Sequence, residues 1–324
     1  MLGDEVTLQT IREAADLIEP YVVRTPTLPM RRLSDFLGLP VVGKFELLQH
    51  TGAFKARGAF NRMLHLSENE RAAGVVAVSG GNHGLAVAYA ARELGVDATV
   101  IMPSTTASTS IGRARADDAH VVVTDTIREA FEQALHEVST GKVMIHPFDD
   151  PAVIAGQGTL ALELYADAPE ITDVVASIGG GGMISGVTVA LKALNPAIRV
   201  WGVETHGADV MTRSLAAGEP VTLDSIASIA TTLGAPTVAA RTLAIVRDLV
   251  EEVVLVSDEE AVRSLEVISE VAKVITEPAA SCTWAAALHI RDRLPADARV
   301  ALILCGGNAS LDDIVRWRAQ FPAD

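Results

Sequence analysis

Short, nearly continuous runs of apolar residues alternate along the chain with longer stretches in which apolar residues recur at helical spacing. Continuous apolar runs are typical of parallel strands that are covered on both faces. They predict strands at 41–46, 75–78, 97–102, 119–123, 142–145, 173–178, 198–204, 252–256 and 299–304. Helices are predicted between them. This alternation indicates an α/β fold of the doubly wound, parallel-sheet class, in which ligands bind in the loops that follow the strands.

Several predicted helices begin with capping signals. Thr7 precedes the first helix, and the pairs Thr126–Glu129 and Ser257–Glu260 have the spacing of a capping box. Two long uncharged stretches, 72–91 and 174–191, contain glycines and polar side chains. They are therefore interpreted as buried strand–loop–helix units rather than as membrane spans.

Composition and charge narrow the class of partner. The 324 residues include 26 Lys and Arg against 41 Asp and Glu, a net charge of −15. Binding to nucleic acid or to an anionic membrane requires a basic face, so neither is expected as a partner. The two cysteines are too few for a disulfide framework, and no basic segment followed by an apolar one opens the sequence. We therefore expect a cytoplasmic protein.

A run of four glycines, Gly179–Gly182, lies between a predicted strand and a predicted helix. Backbone N–H groups at such a helix start can surround a phosphate. Ile184 and Ser185 break the dinucleotide-binding spacing, and Val187 stands where a mononucleotide P-loop needs lysine. The run therefore predicts an anion site of neither nucleotide type, since tight helix packing alone does not need four glycines.

Three further segments contain candidate functional residues. The loop 79–83 (SGGNH) is another helix start suited to a carboxylate, although Asn82 and His83 are also ordinary residues for a helix cap and first turn. Lys55 lies among small and apolar residues, where desolvation would make its amine nucleophilic; the alternative is an exposed helix lysine. The segment 304–308 (LCGGN) follows the last strand and is otherwise a turn with a buried thiol.

Together these segments resemble a known family. KFELLQHTGAFKARGAF (44–60), SGGNHG (79–84), HPFDDPAVIAGQGT (146–159), GGGGMISG (179–186) and CGGN (305–308) occur in the order seen in fold type II pyridoxal-phosphate (PLP) enzymes. Within that family the chain is most similar to the threonine/serine dehydratase and serine racemase branch.

The resemblance implies a tryptophan synthase β-like fold with two doubly wound parallel-sheet domains and the cofactor in the cleft between them. Residues 1–60 with 150–324 would form the large PLP-binding domain, and 61–149 a small inserted domain. A homodimer is the usual form of the family. The implied activity is dehydration and deamination of a 3-hydroxy amino acid, L-threonine or L-serine first, to a 2-oxo acid and ammonia.

The resemblance also implies site residues. Lys55 would bind the cofactor covalently with Phe54 beside the ring, Asn82 would bind the ring hydroxyl, and Cys305 would face the pyridine nitrogen. The cofactor phosphate would lie on Gly179, Gly180, Gly181, Gly182 and Met183. The substrate carboxylate would lie on Ser79, Gly81, Asn82 and His83.

Two of these positions bear on the type of reaction. A thiol is a weak donor, so Cys305 would leave the ring nitrogen neutral and the cofactor a poorer electron sink. Rapid loss of a β-substituent is then favoured over a long-lived deprotonated Cα. In serine racemases a serine in the asparagine loop serves the second face of the substrate, and here that position is Gly80.

The chain departs from the family pattern on the substrate side. Ala53 stands where serine is usual, Phe148 where the racemases have asparagine, and Ala230-Thr231-Thr232 where Ala-Asp-Gly is usual. Phe148 and Leu85 would favour an apolar or bulkier β-substituent. Of the family's divalent-cation ligands, Glu204 and Ala208 match, whereas Val210 replaces the aspartate, so we expect no cation site.

Several alternatives stay open. Among enzymes they are a dehydratase for 3-hydroxyaspartate or phenylserine and an amino-acid racemase. An NAD-dependent oxidoreductase is disfavoured by the glycine spacing. A metabolite-binding protein without activity would have no use for a lysine at position 55.

Overall fold

The computed structural model describes residues 5–322, in which helices and strands alternate. The α-helices are α1 (Leu8–Ile18), α2 (Arg31–Leu37), α3 (Lys55–Leu64), α4 (Glu68–Ala73), α5 (Asn82–Leu94), α6 (Ser108–Ala116), α7 (Ile127–Ser139), α8 (Pro151–Asp167), α9 (Gly182–Leu194), α10 (Val210–Ala217), α11 (Ala240–Leu249), α12 (Asp258–Ala272), α13 (Pro278–Ile290) and α14 (Leu311–Gln320). The strands are β1 (Thr27–Pro29), β2 (Val41–Lys44), β3 (Val75–Val78), β4 (Ala98–Pro103), β5 (His120–Thr124), β6 (Val143–Met144), β7 (Asp173–Ser177), β8 (Arg199–Thr205), β9 (Glu252–Val256) and β10 (Val300–Ile303).

These strands form two sheets. The larger has the order β1-β2-β10-β7-β8-β9, and the smaller has the order β5-β4-β3-β6. Pairing among the described strands is parallel except between β1 and β2. The predicted α/β class with parallel sheets is therefore confirmed, and all nine predicted strands are present.

The edge of the larger sheet differs from the prediction. The apolar pattern does not predict β1, because this strand has three residues, two of them exposed, and ends in a proline. The strand predicted over 41–46 ends at Lys44, since Glu46 begins a short 3-10 helix, Glu46–Leu48. The Glu46 carboxylate binds the buried guanidinium of Arg57 rather than facing solvent from a strand.

The capping signals are borne out with one correction. The Thr7 and Ser257 side chains accept hydrogen bonds from the N–H groups of residues three positions on, and both caps are reciprocal. Thr126 accepts from the Glu129 N–H at 3.2 Å, but the Glu129 carboxylate binds the Asp125 N–H instead. The predicted box at 126–129 is therefore only half formed.

The two uncharged stretches form strand–loop–helix units, β3–α5 and β7–α9, as predicted. Both helices are lined with buried apolar side chains where they pack on the sheets. Within residues 5–322, no helix combines the length and hydrophobicity needed to cross a bilayer. The loops between each strand and its helix lie at the carboxyl ends of the strands, where the candidate residues are found.

Candidate active site

Lys55 is the first residue of α3 and is held beside the end of β10. Ala53 forms an isolated antiparallel bridge with Gly306, and the Phe54 N–H donates to the Cys305 carbonyl at 3.0 Å. These contacts tie two of the predicted segments together through backbone atoms. The helix start therefore places Lys55 at the carboxyl edge of the larger sheet.

The Lys55 amine is half-buried and has few polar partners. Its Nζ donates to the Pro147 carbonyl at 2.8 Å and lies 5.1 Å from the centroid of the Phe54 ring. Burial lowers the pKa of Lys55 to about 8, and Cys305 nearby opposes this shift only in part. An amine with such a pKa is neutral in a much larger fraction of molecules near physiological pH than an ordinary lysine, and can then act as a nucleophile or a base.

The glycine loop leaves no room for side chains. Gly181 has φ +89°, and a Cβ there would lie 2.8 Å from Met211 Cε and 2.9 Å from Thr242 Cβ. The helix α9 then begins at Gly182, with Met183 buried in its first turn. The first N–H groups of a helix have no intrahelical acceptor, so this loop is built to receive an anion.

Phe148 connects the glycine loop to Lys55. A Cβ at Gly180 would lie 2.1 Å from Phe148 Cδ1, and one at Gly182 would lie 3.0 Å from Phe148 Cα. The preceding residue, Pro147, accepts the Lys55 hydrogen bond. The segment 147–148 therefore contacts both the amine and the anion loop, as a ligand with an aldehyde and a phosphate at opposite ends would require.

The asparagine loop joins β3 to α5. The Ser79 hydroxyl accepts from the Gly81 N–H at 3.1 Å, which folds the loop back on itself. Gly81 is the N-cap residue and Asn82 is the first residue of the helix, so the interpretation of Asn82 as a simple cap is wrong. Its side chain is free for another function.

That side chain is buried in a polar network. Asn82 Nδ2 donates to Glu277 Oε1 at 2.7 Å, and Asn82 Oδ1 accepts from Asn308 Nδ2 at 2.7 Å. An amide nitrogen has two hydrogens, so one donor is left for a ligand. A Cβ at Gly306 would lie 3.1 Å from Asn82 Nδ2, which places the network beside the Cys305 segment.

Sequence reasoning missed Glu277, and it named Thr232 only as part of a departure from the family pattern on the substrate side. Glu277 precedes α13 and accepts from Asn82 and from the Thr232 hydroxyl, the latter at 3.0 Å. Burial raises the pKa of the Glu277 carboxyl, and its Oε2 atom has no partner among the described residues. The available signal was a lone acidic residue before the long uncharged run 278–290, where a solvated carboxylate is unexpected.

His83 lies beneath this loop. Its Nε2 atom is 2.8 Å from the Ile145 carbonyl, so the ring donates there. Burial, with a contribution from the positive charge of Lys55, lowers the pKa of His83 to about 3, so the ring is neutral. Any contribution of His83 to anion binding would therefore come from its backbone at the helix start.

Cys305 is a buried, neutral thiol. Its Sγ lies 3.4 Å from the Ser177 hydroxyl, at the end of β7, and 3.6 Å from the Ala279 carbonyl. Burial raises the pKa of Cys305 to about 12. A thiol with such a raised pKa stays protonated, so it offers a ligand a weak hydrogen-bond donor and not a charged thiolate.

The weak cation candidates are engaged elsewhere. Both carboxylate oxygens of Glu204 accept hydrogen bonds from the start of α10, from the N–H groups of Met211 and Thr212 at 2.8 Å. Ala208 lies in the turn just before that helix. Over residues 5–322, no three His, Cys, Asp or Glu side chains are grouped closely enough to hold a metal ion.

We accordingly expect chelation to have little effect. Treating the purified protein with EDTA should leave its activity and its thermal midpoint nearly unchanged, because the start of α10 rather than a cation provides the hydrogen-bond partners of Glu204. Both quantities should be measured before and after addition of Mg²⁺ or Ca²⁺. A large loss that either ion restores would contradict the prediction.

The residues present fit PLP. The Lys55 amine suits its aldehyde, the glycine cradle suits its phosphate, and a free Asn82 donor suits its ring hydroxyl. The Oε2 atom of Glu277 is buried without a partner, which indicates that this part of the site accommodates a polar group of a ligand. The loops of both sheets contribute, with Asn82 from the smaller and Cys305 from the larger.

Comparison with known proteins agrees with this fit. A sequence model of the family described as "Pyridoxal-phosphate dependent enzyme" matches residues 18–306. The L-threonine ammonia-lyase of Thermotoga maritima is 40% identical over 313 residues, covering 96% of this chain and 78% of the relative. The serine racemase of Oryza sativa subsp. indica is 36% identical, covering 98% and 95%. The structure of maize serine racemase has a TM-score of 0.91 at 36% identity, covering 98% of this chain and 97% of that one. The predicted cofactor is thereby confirmed, and the chain belongs to the pyridoxal-phosphate-dependent enzymes.

Proposed function

We propose that this enzyme catalyses β-elimination from a 3-hydroxy amino acid, with L-threonine and L-serine as the first candidates, and releases a 2-oxo acid and ammonia. The observation that carries the proposal is the Lys55 amine, whose pKa is lowered to about 8 by burial beside an anion cradle and a neutral thiol. Relatives named threonine ammonia-lyase and serine racemase support the substrate class.

The cofactor-binding roles follow from the positions described above. Lys55 would hold the cofactor covalently, with Phe54 beside its ring and Asn82 on its ring hydroxyl. Cys305 would face the pyridine nitrogen. The phosphate would lie on Gly179, Gly180, Gly181, Gly182 and Met183. When bound, PLP withdraws electrons from the substrate Cα and so makes its proton acidic.

The protein's own residues account for the remaining steps. With the cofactor held by the substrate, the Lys55 amine would be free and would serve as the base for the Cα proton. It can then pass that proton to the hydroxyl on Cβ, which leaves as water. Addition of water finally releases ammonia and the 2-oxo acid, so the net reaction consumes only the amino acid.

The neutral thiol favours elimination. A donor with a pKa of about 12 does not protonate a pyridine nitrogen, so Cys305 leaves the deprotonated Cα without its strongest stabilisation. Departure of the β-hydroxyl relieves that state directly. During this step the substrate carboxylate would be held by the asparagine loop, which keeps Cα oriented toward Lys55. The proposed contacts are Ser79, Gly81, Asn82 and the His83 backbone.

We assign the β-substituent side to Phe148 rather than to Leu85. Leu85 is 2% exposed and packs in the core of the smaller sheet, so it cannot contact a substrate. The expectation from the sequence that Leu85 faces the β-substituent is therefore wrong. The Phe148 ring lies against Gly180 and remains partly accessible. Phenylserine, whose ring could pack on Phe148, is therefore a substrate to compare with threonine and serine. The alternative 3-hydroxyaspartate supplies a charged β-substituent for contrast.

The test is a turnover assay on the purified enzyme. L-threonine, L-serine, L-threo-3-hydroxyaspartate and L-phenylserine should be compared by visible spectrum, 2-oxo acid and ammonia. We expect spectral change and equal amounts of both products with at least one of them. An enzyme that binds the cofactor but forms no 2-oxo acid from any of the four would overturn the proposal.

A second expected result is elimination without efficient racemisation. Racemisation needs a proton donor on each face of Cα, and Lys55 serves only one, while Gly80 has no side chain. L-serine or L-threonine should be incubated in D₂O and the recovered substrate analysed by chiral chromatography and mass spectrometry. Cα-deuterated D-serine or D-allo-threonine formed as fast as the 2-oxo acid would place a second base in the site and favour the racemase alternative.

The domain division, the oligomeric state and the location belong to the same proposal. The smaller sheet takes its strands from residues 75–144, within the proposed inserted domain 61–149, and the larger sheet takes its strands from 1–60 and 150–324. The cofactor would then lie in the cleft between the two. A homodimer in the cytoplasm remains a prediction.

A further inference from the structure

A hydroxyl from the loop after a neighbouring strand fills the space of the missing side chain at Gly80. A Cβ built on Gly80 would lie 2.1 Å from Thr106 Oγ1, 3.1 Å from Thr106 Cβ and 3.2 Å from Thr106 Cγ2. Thr106 follows β4, the strand next to β3 in the smaller sheet. Its side chain is therefore seated on the asparagine loop at the position where residue 80 would present its own.

This hydroxyl is hidden from solvent and has no partner among the residues that the structure describes. Leaving a buried hydroxyl unpaired is destabilising. Its place is nevertheless fixed by the backbone, because the Thr106 N–H donates to the Pro103 carbonyl at 2.9 Å. A fixed, unpaired donor beside a helix start is what a bound anion would satisfy.

The two other hydroxyls near this loop, those of Thr232 and Ser79, already have partners within the protein. On the other side of the loop, Thr232 Cγ2 would lie 3.4 Å from a Cβ at Gly81, and the Thr232 hydroxyl is committed to Glu277. The Ser79 hydroxyl accepts from the Gly81 N–H, and its own proton stays available to the substrate carboxylate. Of the three hydroxyls around Gly80 and Gly81, Thr106 alone lacks a protein partner within the described chain.

We propose that Thr106 is a substrate-binding residue whose hydroxyl donates a hydrogen bond to the substrate carboxylate in the asparagine loop. The inference rests on the proposed function, because that function assigns the carboxylate to this loop. A small glycine at position 80 and a hydroxyl at position 106 then act as a pair: the first makes room and the second supplies the donor. Under this proposal the Thr106 proton goes to the carboxylate and not to Cα.

The first test separates the hydroxyl from the methyl group. T106V removes the hydroxyl at nearly constant volume, T106S keeps it, and T105V is the matched control at an exposed neighbour. A hydrogen bond to a charged group corresponds to about a tenfold to hundredfold change in binding. We expect that rise in KM for T106V with a much smaller change in kcat, whereas T106S and T105V stay close to wild type.

A ligand that cannot undergo elimination makes the test independent of turnover. Binding of L-alanine to the holoenzyme, followed in the visible spectrum, should weaken about as much as KM rises in T106V. Binding of isopropylamine, in which a methyl group replaces the carboxylate, should not change. If the wild type binds L-alanine but never forms a 2-oxo acid, the proposed function fails while this comparison still stands.

A relocated hydroxyl gives the second test. G80S/T106A moves the hydroxyl from residue 106 to residue 80, and the smaller alanine side chain at position 106 makes room for it. We expect this double variant to bind L-alanine more tightly than T106V does. The inference is overturned if a cofactor-loaded G80S/T106A binds L-alanine no better than T106V, or if T106V keeps its KM and L-alanine affinity. It is also overturned if T106V only suppresses Cα deuterium exchange in D₂O.

Discussion

Lys55→Ala should yield a colourless protein with activity reduced by about 10³-fold or more, since both the covalent link to the cofactor and the base for Cα are lost. Among the described residues the Lys55 amine donates one hydrogen bond, to the Pro147 carbonyl, so its removal should leave the fold intact. The visible spectrum, the cofactor content after gel filtration and the rate of 2-oxo acid formation should be measured together.

The matched control is Lys142→Ala. Lys142 binds Glu137 and the Thr99 hydroxyl in the smaller sheet, so it is a paired lysine outside the site. It should keep both colour and activity. A Lys55→Ala protein that retained the visible chromophore and turnover would refute the assignment of the site as a whole, because every step of the proposed reaction depends on the Lys55 amine.

The strand–loop–helix units could be predicted because their signals are local. Glycine runs and small polar residues between an apolar run and a helical pattern identify both β3–α5 and β7–α9, and each unit folds within about twenty residues of chain. Lys55 could be singled out for the same reason, since its neighbours in the sequence are small and apolar.

The support around these loops could not be predicted, because it depends on contacts between distant segments. Asn82 meets Glu277 and Asn308 only once the end of β10 and the start of α13 are brought beside α5. Thr106, in the loop after β4, contacts Gly80, in the loop after the neighbouring strand β3. No spacing in the sequence encodes such a meeting, and single polar residues before a helix are common for reasons of capping alone.

The same limit applies to the charges behind Lys55. Lys44 appears in the sequence as a strand residue, yet it is fully buried with Arg57 and Glu46, beside the partly buried Glu163. Arg57 donates to Glu46 at 2.8 Å and to Glu163 at 2.7 Å, while Lys44 donates to Glu163 and to the Thr25 carbonyl. Two positive and two negative groups therefore balance in the interior. Although burial opposes its ionisation, the adjacent Arg57 holds the pKa of Glu46 below its usual value.

Arg57→Met should therefore be strongly destabilising. The substitution leaves Glu46 buried without its cation, and breaking a buried ion pair from one side costs about 3–5 kcal/mol. Urea unfolding at neutral pH should show this loss in the free energy of unfolding. Arg24→Met is the matched control: the Arg24–Asp167 pair is exposed, and such pairs contribute about 1 kcal/mol or less. Because α3 starts two residues before Arg57, turnover by Lys55 should fall as well.

The charge balance determines how the loss of stability in Arg57→Met depends on pH. It also predicts a second substitution that restores part of the stability. In Arg57→Met, burial without a cation would raise the pKa of Glu46 above its unfolded value, so the deficit should shrink as the pH falls and the carboxyl takes up a proton. For the same reason, E46Q/R57M should recover part of the loss, since Lys44 and Glu163 remain as a neutral pair. A deficit that did not depend on pH, or that E46Q left unchanged, would show that Arg57 stabilises α3 through packing of its side chain rather than through its charge.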